Sequence, residues 1–136
     1  MNHELFRDYC LAKAGVQEEF PFGEDTLVFK VMGKMFALTS ITEQQGSCNL
    51  KCDPEKAEEL REKYSAITPG YHMNKKHWNT VDWDGSLSDQ LIMELVDHSY
   101  ELVKEGLPKA WTQQLNEDSI TRKKKMKSGK KKIRKN

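Results

Sequence analysis

The first apolar residues of the chain recur at the spacing of an α-helix. They are Leu5, Phe6, Tyr9 and Cys10. Asn2 before them is a suitable N-cap, because its side chain can accept a hydrogen bond from a free backbone amide, and Gly15 after them is a suitable stop. The pattern predicts a first helix over about residues 3–14, with its apolar stripe facing the core.

Apolar and polar residues then alternate, which indicates β-strands over residues 26–31 and 34–39. Met32 and Gly33 between them fit a two-residue hairpin loop, since glycine tolerates a positive φ. We expect one face of the first strand to carry Leu27, Phe29 and Val31, and one face of the second to carry Phe36 and Leu38. The preceding residues 20–23 (FPFG) predict a turn whose aromatic side chains cover an edge of the core.

A third strand is predicted over residues 47–52. Its apolar side is formed by Cys48, Leu50 and Cys52, and its polar side by Asn49 and Lys51. Asp53 and Pro54 then give the strongest local signal in the chain. An aspartate N-cap satisfies free amides and proline at the first helical position presets φ, so a second helix is predicted over about residues 54–63.

Residues 78–83 alternate like a further strand. A third helix is predicted to start near Ser86 or Ser88, either of which can cap it, and to end at Gly106. Helices and strands are therefore grouped rather than strictly alternating, and two of the strands form a hairpin. This order predicts an α+β fold, a two-layer sandwich in which helices pack on an antiparallel sheet.

At 136 residues the chain is long enough for one domain with a modest core. We expect that domain to span residues 1–118. Beyond Asp118 the sequence offers nothing to bury, and its many like charges repel one another. Residues 119–136 are therefore predicted to form a disordered basic tail.

The net charge of +1 conceals a strong asymmetry along the chain. Residues 122–136 contain ten Lys and Arg residues and no acid, among them Lys123, Lys124, Lys125, Lys130, Lys131 and Lys132. The preceding 121 residues hold 12 basic residues and all 21 acidic ones, a net charge of −9. The body therefore repels polyanions and the tail attracts them. The tail can bind nucleic acid without sequence preference, fold back on the acidic body, or do both.

The sequence has no apolar run near the roughly 20 residues that span a bilayer, and its N-terminus lacks the pattern of a signal peptide. These features predict a cytoplasmic protein with no membrane partner. Its three cysteines, an odd number, are expected to be free thiols. Cys48 and Cys52 would lie roughly 13 Å apart along a strand, too far for a disulfide or a shared metal.

The best candidates for a functional site lie in residues 68–81. This stretch brings two lysines, two histidines, two amide side chains and two large aromatics together around a Pro-Gly turn. Ammonium groups neutralise phosphates and release counterions, and an aromatic ring offers bases a stacking face. The predicted nucleic-acid contacts here and on the third strand are Lys51, Tyr71, His72, Asn74, Lys75, Lys76, His77 and Trp78.

Most of these residues also have a structural interpretation. Large aromatics more often anchor a core, which favours burial for Tyr71 and Trp78. His72 and His77 have no partner at a recognised metal-ligand spacing and are expected to form hydrogen bonds, so neither a metal nor a cofactor is predicted. His98 lies at the edge of the third helix's apolar stripe and is expected to pack rather than to ligate.

Several segments of the chain resemble the MmcQ/YjbR family of small bacterial proteins. They are residues 22–23, 27–31, 33–37, 49–54, 68–81 and 97–103. The resemblance covers roughly residues 1–112 and implies a frataxin-like (CyaY-like) α+β sandwich. It also implies DNA binding, since exposed hairpins of some members are described as a double-wing DNA-binding motif. It brings no catalytic residues to this chain.

These observations support three functional hypotheses. The first is a monomeric, non-catalytic nucleic-acid-binding protein, with DNA favoured over RNA as its partner. The second is a protein-interaction adaptor that presents the acids of the second helix, Glu55, Glu58, Glu59 and Glu62, to a basic partner. The third is a binder of an anionic small ligand through His72, His77 and the neighbouring lysines.

Overall fold

The computed structural model describes residues 1–70 and 73–117. In chain order their elements are α1 (His3–Leu11), β1 (Val16–Glu19), β2 (Thr26–Val31), β3 (Lys34–Ser40), β4 (Ser47–Lys51), α2 (Pro54–Lys63), β5 (Ile67–Pro69), β6 (Trp78–Asp82) and α3 (Asp89–Glu105). A further helical segment covers residues 109–117. The predicted basic tail, residues 119–136, lies outside the described residues.

The strands form one six-stranded sheet in the order β1-β2-β3-β4-β6-β5, and every neighbouring pair is antiparallel. Helices α1 and α3 pack together on one face of this sheet. Their side chains form the core with those of the central strands: Phe6, Cys10, Phe29, Leu50, Val81, Ile92, Leu95 and Val96 are all buried in a single cluster. The predicted α+β class, with helices on an antiparallel sheet, is confirmed.

The N-caps predicted for the helices are confirmed. The side chain of Asn2 accepts a hydrogen bond from the amide of Leu5, and that of Asp53 accepts one from Lys56. Of the two serines proposed for α3, Ser88 is the cap. Each cap satisfies an amide that the first helical turn leaves without a partner.

Helix α1 is shorter than predicted, and the strand after it was missed. The helix ends at Leu11 rather than near residue 14, and residues 16–19 pair with β2 as an edge strand. Gly15 is not the helix stop but the turn between them, with a φ of +74°. The Cβ of any other residue at Gly15 would lie 2.3 Å from Leu115, so the glycine also lets the C-terminal helical segment approach.

The β2–β3 hairpin forms around Met32 and Gly33 as predicted, both with positive φ. The prediction that Phe36 and Leu38 share a face is wrong. A β-bulge shifts the register opposite Phe29 and Lys30, and Phe36 is the extra residue. Phe36 therefore points into the core, whereas Leu38 lies on the opposite face. Ser99 of α3 secures the bulge, since its hydroxyl donates to the Phe36 carbonyl and accepts from the Lys51 amide.

The aromatic residues before β2 do not cover the core, contrary to prediction. Phe20 is 49% exposed and Phe22 is 67% exposed. Phe22 instead stands at the rim of the sheet face that α1 and α3 leave uncovered. We call that uncovered surface the open face.

Across residues 1–70 and 73–117, no helix is both long enough and apolar enough to cross a bilayer.

Candidate functional site

The candidate loop turns sharply around Asn74. The Asn74 carbonyl accepts hydrogen bonds from the amides of His77 (3.1 Å) and Trp78 (2.9 Å), and its side-chain oxygen accepts one from the Lys76 amide (3.0 Å). An asparagine side chain that caps its own turn in this way fixes the backbone locally. Asn74, Lys75 and Lys76 are all exposed at the tip of this turn.

The base of the loop is tied to the sheet on both sides. The Gly70 amide donates to the Trp78 carbonyl (2.9 Å), and the Cys52 amide donates to the His77 carbonyl (2.7 Å). At Gly70 a Cβ would lie 3.0 Å from the Trp78 Cβ, so the glycine permits this close crossing. The loop is therefore an extension of the sheet rather than a free connection.

Arg61 of α2 holds the same turn from the helical side. Its Nε donates to the side-chain oxygen of Asn79 (2.7 Å), and one terminal nitrogen donates to the carbonyls of Lys75 and Trp78. Asn79 is only 2% exposed, so this bond satisfies a buried acceptor. The sequence does not predict this role of Arg61, because nothing in the local pattern of α2 shows that its side chain reaches a loop 14 residues further along the chain.

Trp78 is buried, at 7% exposure, as the structural interpretation favoured. It lies opposite Lys51 in the β4–β6 register. Its ring is therefore not a free stacking face for a base. The contribution of Trp78 is to anchor the start of β6 and, through its carbonyl, the loop.

Lys51 lies at the same end of the sheet as the loop. The alternation along β4, where Cys48 and Leu50 enter the core, directs Lys51 to the open face, and the side chain is half-buried there. Lys34 begins β3, the neighbouring strand, and is exposed at this end as well, although its pairing with the core residue Val31 directs it to the helical side of the sheet. We call Lys34, Lys51, Lys75 and Lys76 the cationic end. Lys30 does not add to it freely, since its ammonium pairs with Glu19 at 2.8 Å.

The other predicted nucleic-acid contacts lie outside the described residues. They are Tyr71 and His72 in the loop and Lys123, Lys124, Lys125, Lys130, Lys131 and Lys132 in the tail. The structure thus brings together Lys51, Asn74, Lys75, Lys76, His77 and Trp78 of the predicted set.

The two described histidines outside α1 take part in hydrogen bonds near the candidate loop. The backbone of His77 takes part in the turn and in its tie to β4, and its side chain is half-buried. His98 packs as predicted, and its Nε2 accepts a hydrogen bond from the Asp53 amide at 3.2 Å. Burial lowers the pKa of His98 below its ordinary value, and the nearby Lys56 lowers it further. In residues 1–70 and 73–117, no three His, Cys, Asp or Glu side chains are grouped to hold a metal ion.

The three cysteines are free and buried, as predicted. Burial raises the pKa of Cys48 to about 12 and also raises that of Cys10 and Cys52. A nucleophilic cysteine needs a lowered pKa and solvent access. These thiols instead fill space in the core.

The opposite end of the open face carries acids. A groove of about 640 Å³ runs over this face, and Glu43 and Asp82 line it. Burial raises the pKa of the Asp82 carboxyl, and the charges of Asp84 and Glu43 raise it further. Asp84 follows Trp83 just beyond β6, so these acids form an acidic end opposite the cationic one.

Comparison with known proteins gives a consistent assignment. The sequence model of the YjbR family matches residues 11–102. Two uncharacterized Escherichia coli proteins are each 40% identical to the chain: YbdF of strain O157:H7 over 107 residues (79% of this chain, 88% of YbdF) and YjbR of strain K12 over 100 residues (74% and 85%).

Solved structures agree with this result. A Deinococcus radiodurans protein, DR2400, described by the family-model domain DUF419, superposes with a TM-score of 0.78 at 45% identity, covering 83% of this chain and 86% of that one. A Pseudomonas syringae protein superposes with a TM-score of 0.65 at 33% identity, covering 75% and 98%. The chain belongs to the YjbR family.

Proposed function

We propose that this protein is a non-catalytic nucleic-acid-binding protein whose cationic end contacts the phosphate backbone, with DNA as the favoured partner. The observation that carries the proposal is the Asn74 turn. In this turn Lys75 and Lys76 are exposed beside the strand end that bears Lys51. Arg61 holds the turn from the helical side of the sheet through a hydrogen bond to the Lys75 carbonyl. Lysines on a fixed support lose less freedom on binding than lysines on a mobile loop.

The contact made by the folded body is small. Four lysines at one sheet end can neutralise about four phosphates at most, which would make log K fall with log salt at a slope of about −3.6. Affinity of the body alone is therefore expected to be weak at physiological salt. The ten Lys and Arg residues of the C-terminal segment would add sequence-independent affinity whenever the segment is not held on the acidic body.

The geometry favours contacts to the phosphate backbone of the nucleic acid over recognition of its bases. Trp78 is buried, and the exposed groups at the turn are ammonium groups and one amide side chain. Ammonium groups bind phosphates as point charges and carry little sequence information. Binding should therefore depend on salt much more than on base sequence.

The test is a titration of duplex DNA at 50 and 150 mM salt with Lys75→Ala/Lys76→Ala. Both the full-length chain and residues 1–118 are used. We expect the double substitution to weaken binding about tenfold at low salt and to lower the salt slope by about two, because two phosphate contacts are lost.

The matched control is Lys63→Ala/Lys109→Ala, which removes two exposed lysines of the helical layer. It changes the net charge by the same amount and should change affinity much less. Equal losses for the two double variants would show that only overall charge matters, and the proposed interface would be wrong.

A second candidate is an adaptor that binds a basic protein through α2. The observation that favours it is that Glu55, Glu58, Glu59 and Glu62 are all exposed along this helix. It predicts that residues 1–118 capture a basic protein partner and that Glu58→Gln/Glu62→Gln releases it, while DNA affinity does not fall.

A further inference from the structure

The open face is a polar surface with the shape of a binding groove. Apart from Leu38, the strand residues without charge that line it carry hydroxyl or amide side chains: Thr26, Ser40, Ser47, Asn49, Thr68 and Thr80. The exposed ring of Phe22 and the side chain of Met73 add apolar surface at the rim. Its volume of about 640 Å³ falls within the range of ligand sites, and an extended segment could lie along it.

The charge in this groove has one sign. Glu43 and Asp82 line it, Asp84 lies beside Asp82, and no lysine or arginine belongs to the described lining. Among the residues that the structure describes, neither Glu43 nor Asp82 forms an ion pair. The raised pKa of Asp82 reflects burial and repulsion from its acidic neighbours, and a cation placed there would relieve that repulsion.

We propose that the groove at the acidic end binds this chain's own lysine-rich segment, residues 122–135. That segment carries ten positive charges without an acid, the complement of the groove. The methylene stems of lysines can pack on Phe22 while their ammonium groups reach Glu43 and Asp82. The ligand class is thus an extended polycationic peptide, supplied in cis.

The connection is long enough for this contact. The described chain ends at residue 117, just after Leu115 packs against Gly15 near the β2–β3 hairpin. The 18 residues from 118 to 135 can span roughly 60 Å when extended. The seven residues of β3 cover only roughly 20 Å, so the later part of the segment can pass around the sheet to its far end, whereas its first residues remain too close to residue 117 to reach it.

The other large acidic surface, α2, is a poorer receptor. Lys56, Arg61 and Lys63 are interspersed with its glutamates, which reduces the net field along the helix. Its glutamates are also exposed on a convex helix, where water and salt screen them. The groove is concave, and its Asp82 is half-buried, although Glu43 at the same end is exposed.

The experiment places a spin label in the segment of the full-length chain. Ser128→Cys is labelled selectively, because the three native cysteines are buried. The amide signals of Glu43, Asp82 and their groove neighbours are then recorded by NMR with the label oxidised and reduced. We expect these signals to lose at least half their intensity through paramagnetic broadening at 50 mM salt, independent of protein concentration.

Glu43→Gln/Asp82→Asn should abolish that broadening, and the matched pair Glu58→Gln/Glu62→Gln on α2 should leave it intact. If the first pair unfolds the protein, Phe22→Ala provides a second probe, since this exposed side chain can be removed without touching the core, and it should weaken the broadening. The proposal would be overturned if the broadening were centred on α2 or spread evenly over the surface. It would also be overturned if the broadening depended on protein concentration, because that would indicate contact with a second copy.

Discussion

The two ends of the open face differ in charge although the same strands build both. Strand β4 begins beside the acids and ends at Lys51, and β6 begins beside the loop lysines and ends at Asp82. Antiparallel strands place alternate connections at opposite ends of the sheet, so each end takes its charge from a different set of loops. A body with a net charge of −9 can therefore still present a local cationic surface.

The separation of the two ends matters for how they act. Lys51 lies four residues after Ser47, the first residue of β4, which corresponds to roughly 13 Å. That exceeds the Debye length of about 8 Å at physiological ionic strength. The acids should therefore weaken phosphate binding at the cationic end only at low salt, and the two ends should behave as separate sites in the cell.

A glycine lies near each end of the open face. Substituting each glycine should distinguish the two ends most clearly, by its effects on stability and on DNA affinity. At Gly46 a Cβ would lie 2.0 Å from the Trp83 ring, which packs on His3 and Phe6, whereas at Gly70 it would lie 3.0 Å from the Trp78 Cβ. Gly46→Ala should lower the free energy of unfolding by about 3 kcal/mol and Gly70→Ala by about 1 kcal/mol. Urea unfolding measures both.

A larger loss of stability for Gly70→Ala than for Gly46→Ala would mean that the loop limits the stability of the sheet, and not the packing of Trp83 on His3 and Phe6. Gly70→Ala should also reduce DNA affinity because it disturbs the turn. Gly46→Ala should leave the affinity of the folded fraction unchanged.

Arg61→Ala tests whether DNA binding at the cationic end depends on the hydrogen bonds that hold the loop as well as on the lysine charges. The substitution leaves Lys51, Lys75 and Lys76 in place but removes the donor to Asn79, a buried acceptor. We expect a loss of about 2 kcal/mol in the free energy of unfolding, measured by urea titration. DNA affinity should also fall, about as much as with Lys75→Ala/Lys76→Ala.

Arg61→Lys supplies the control for net charge. A lysine keeps the positive charge but cannot donate in the planar fork that spans Asn79 and two carbonyls. It should therefore resemble Arg61→Ala. Full DNA affinity in Arg61→Lys would show that Arg61 acts through its charge alone.

Local sequence rules predicted the helices and most strands because caps, proline and alternation act over a few residues. Asp53-Pro54 and Met32-Gly33 are examples, and both are confirmed. The face of Leu38 was predicted wrongly because the bulge depends on how β2 pairs with β3. Arg61 and the polarity of the open face were missed for a similar reason: they arise only when distant segments meet in the sheet.

We expect the smallest effect from a change in pH, which should alter the free energy of unfolding through His98, near the cationic end. His98 accepts a hydrogen bond from the Asp53 amide just after Lys51, which requires a neutral imidazole nitrogen. Its pKa is lowered by burial and by Lys56, although Asp53 and Glu105 oppose the shift. The folded state therefore binds this proton less readily than the unfolded state. The stabilisation from His98 is complete above the ordinary histidine pKa of about 6.5 and is lost as pH falls through the lowered value.

Unfolding by urea at pH 7.5 and 5.0 should show this loss in the native protein, and His98→Gln should reduce the difference between the two pH values. The Gln variant keeps an acceptor for the Asp53 amide but has no proton to gain. If the native protein and His98→Gln lose the same free energy of unfolding between the two pH values, the hydrogen bond to Asp53 does not couple protonation to folding. The start of α2 would then owe its stability to the Asp53 cap and Pro54.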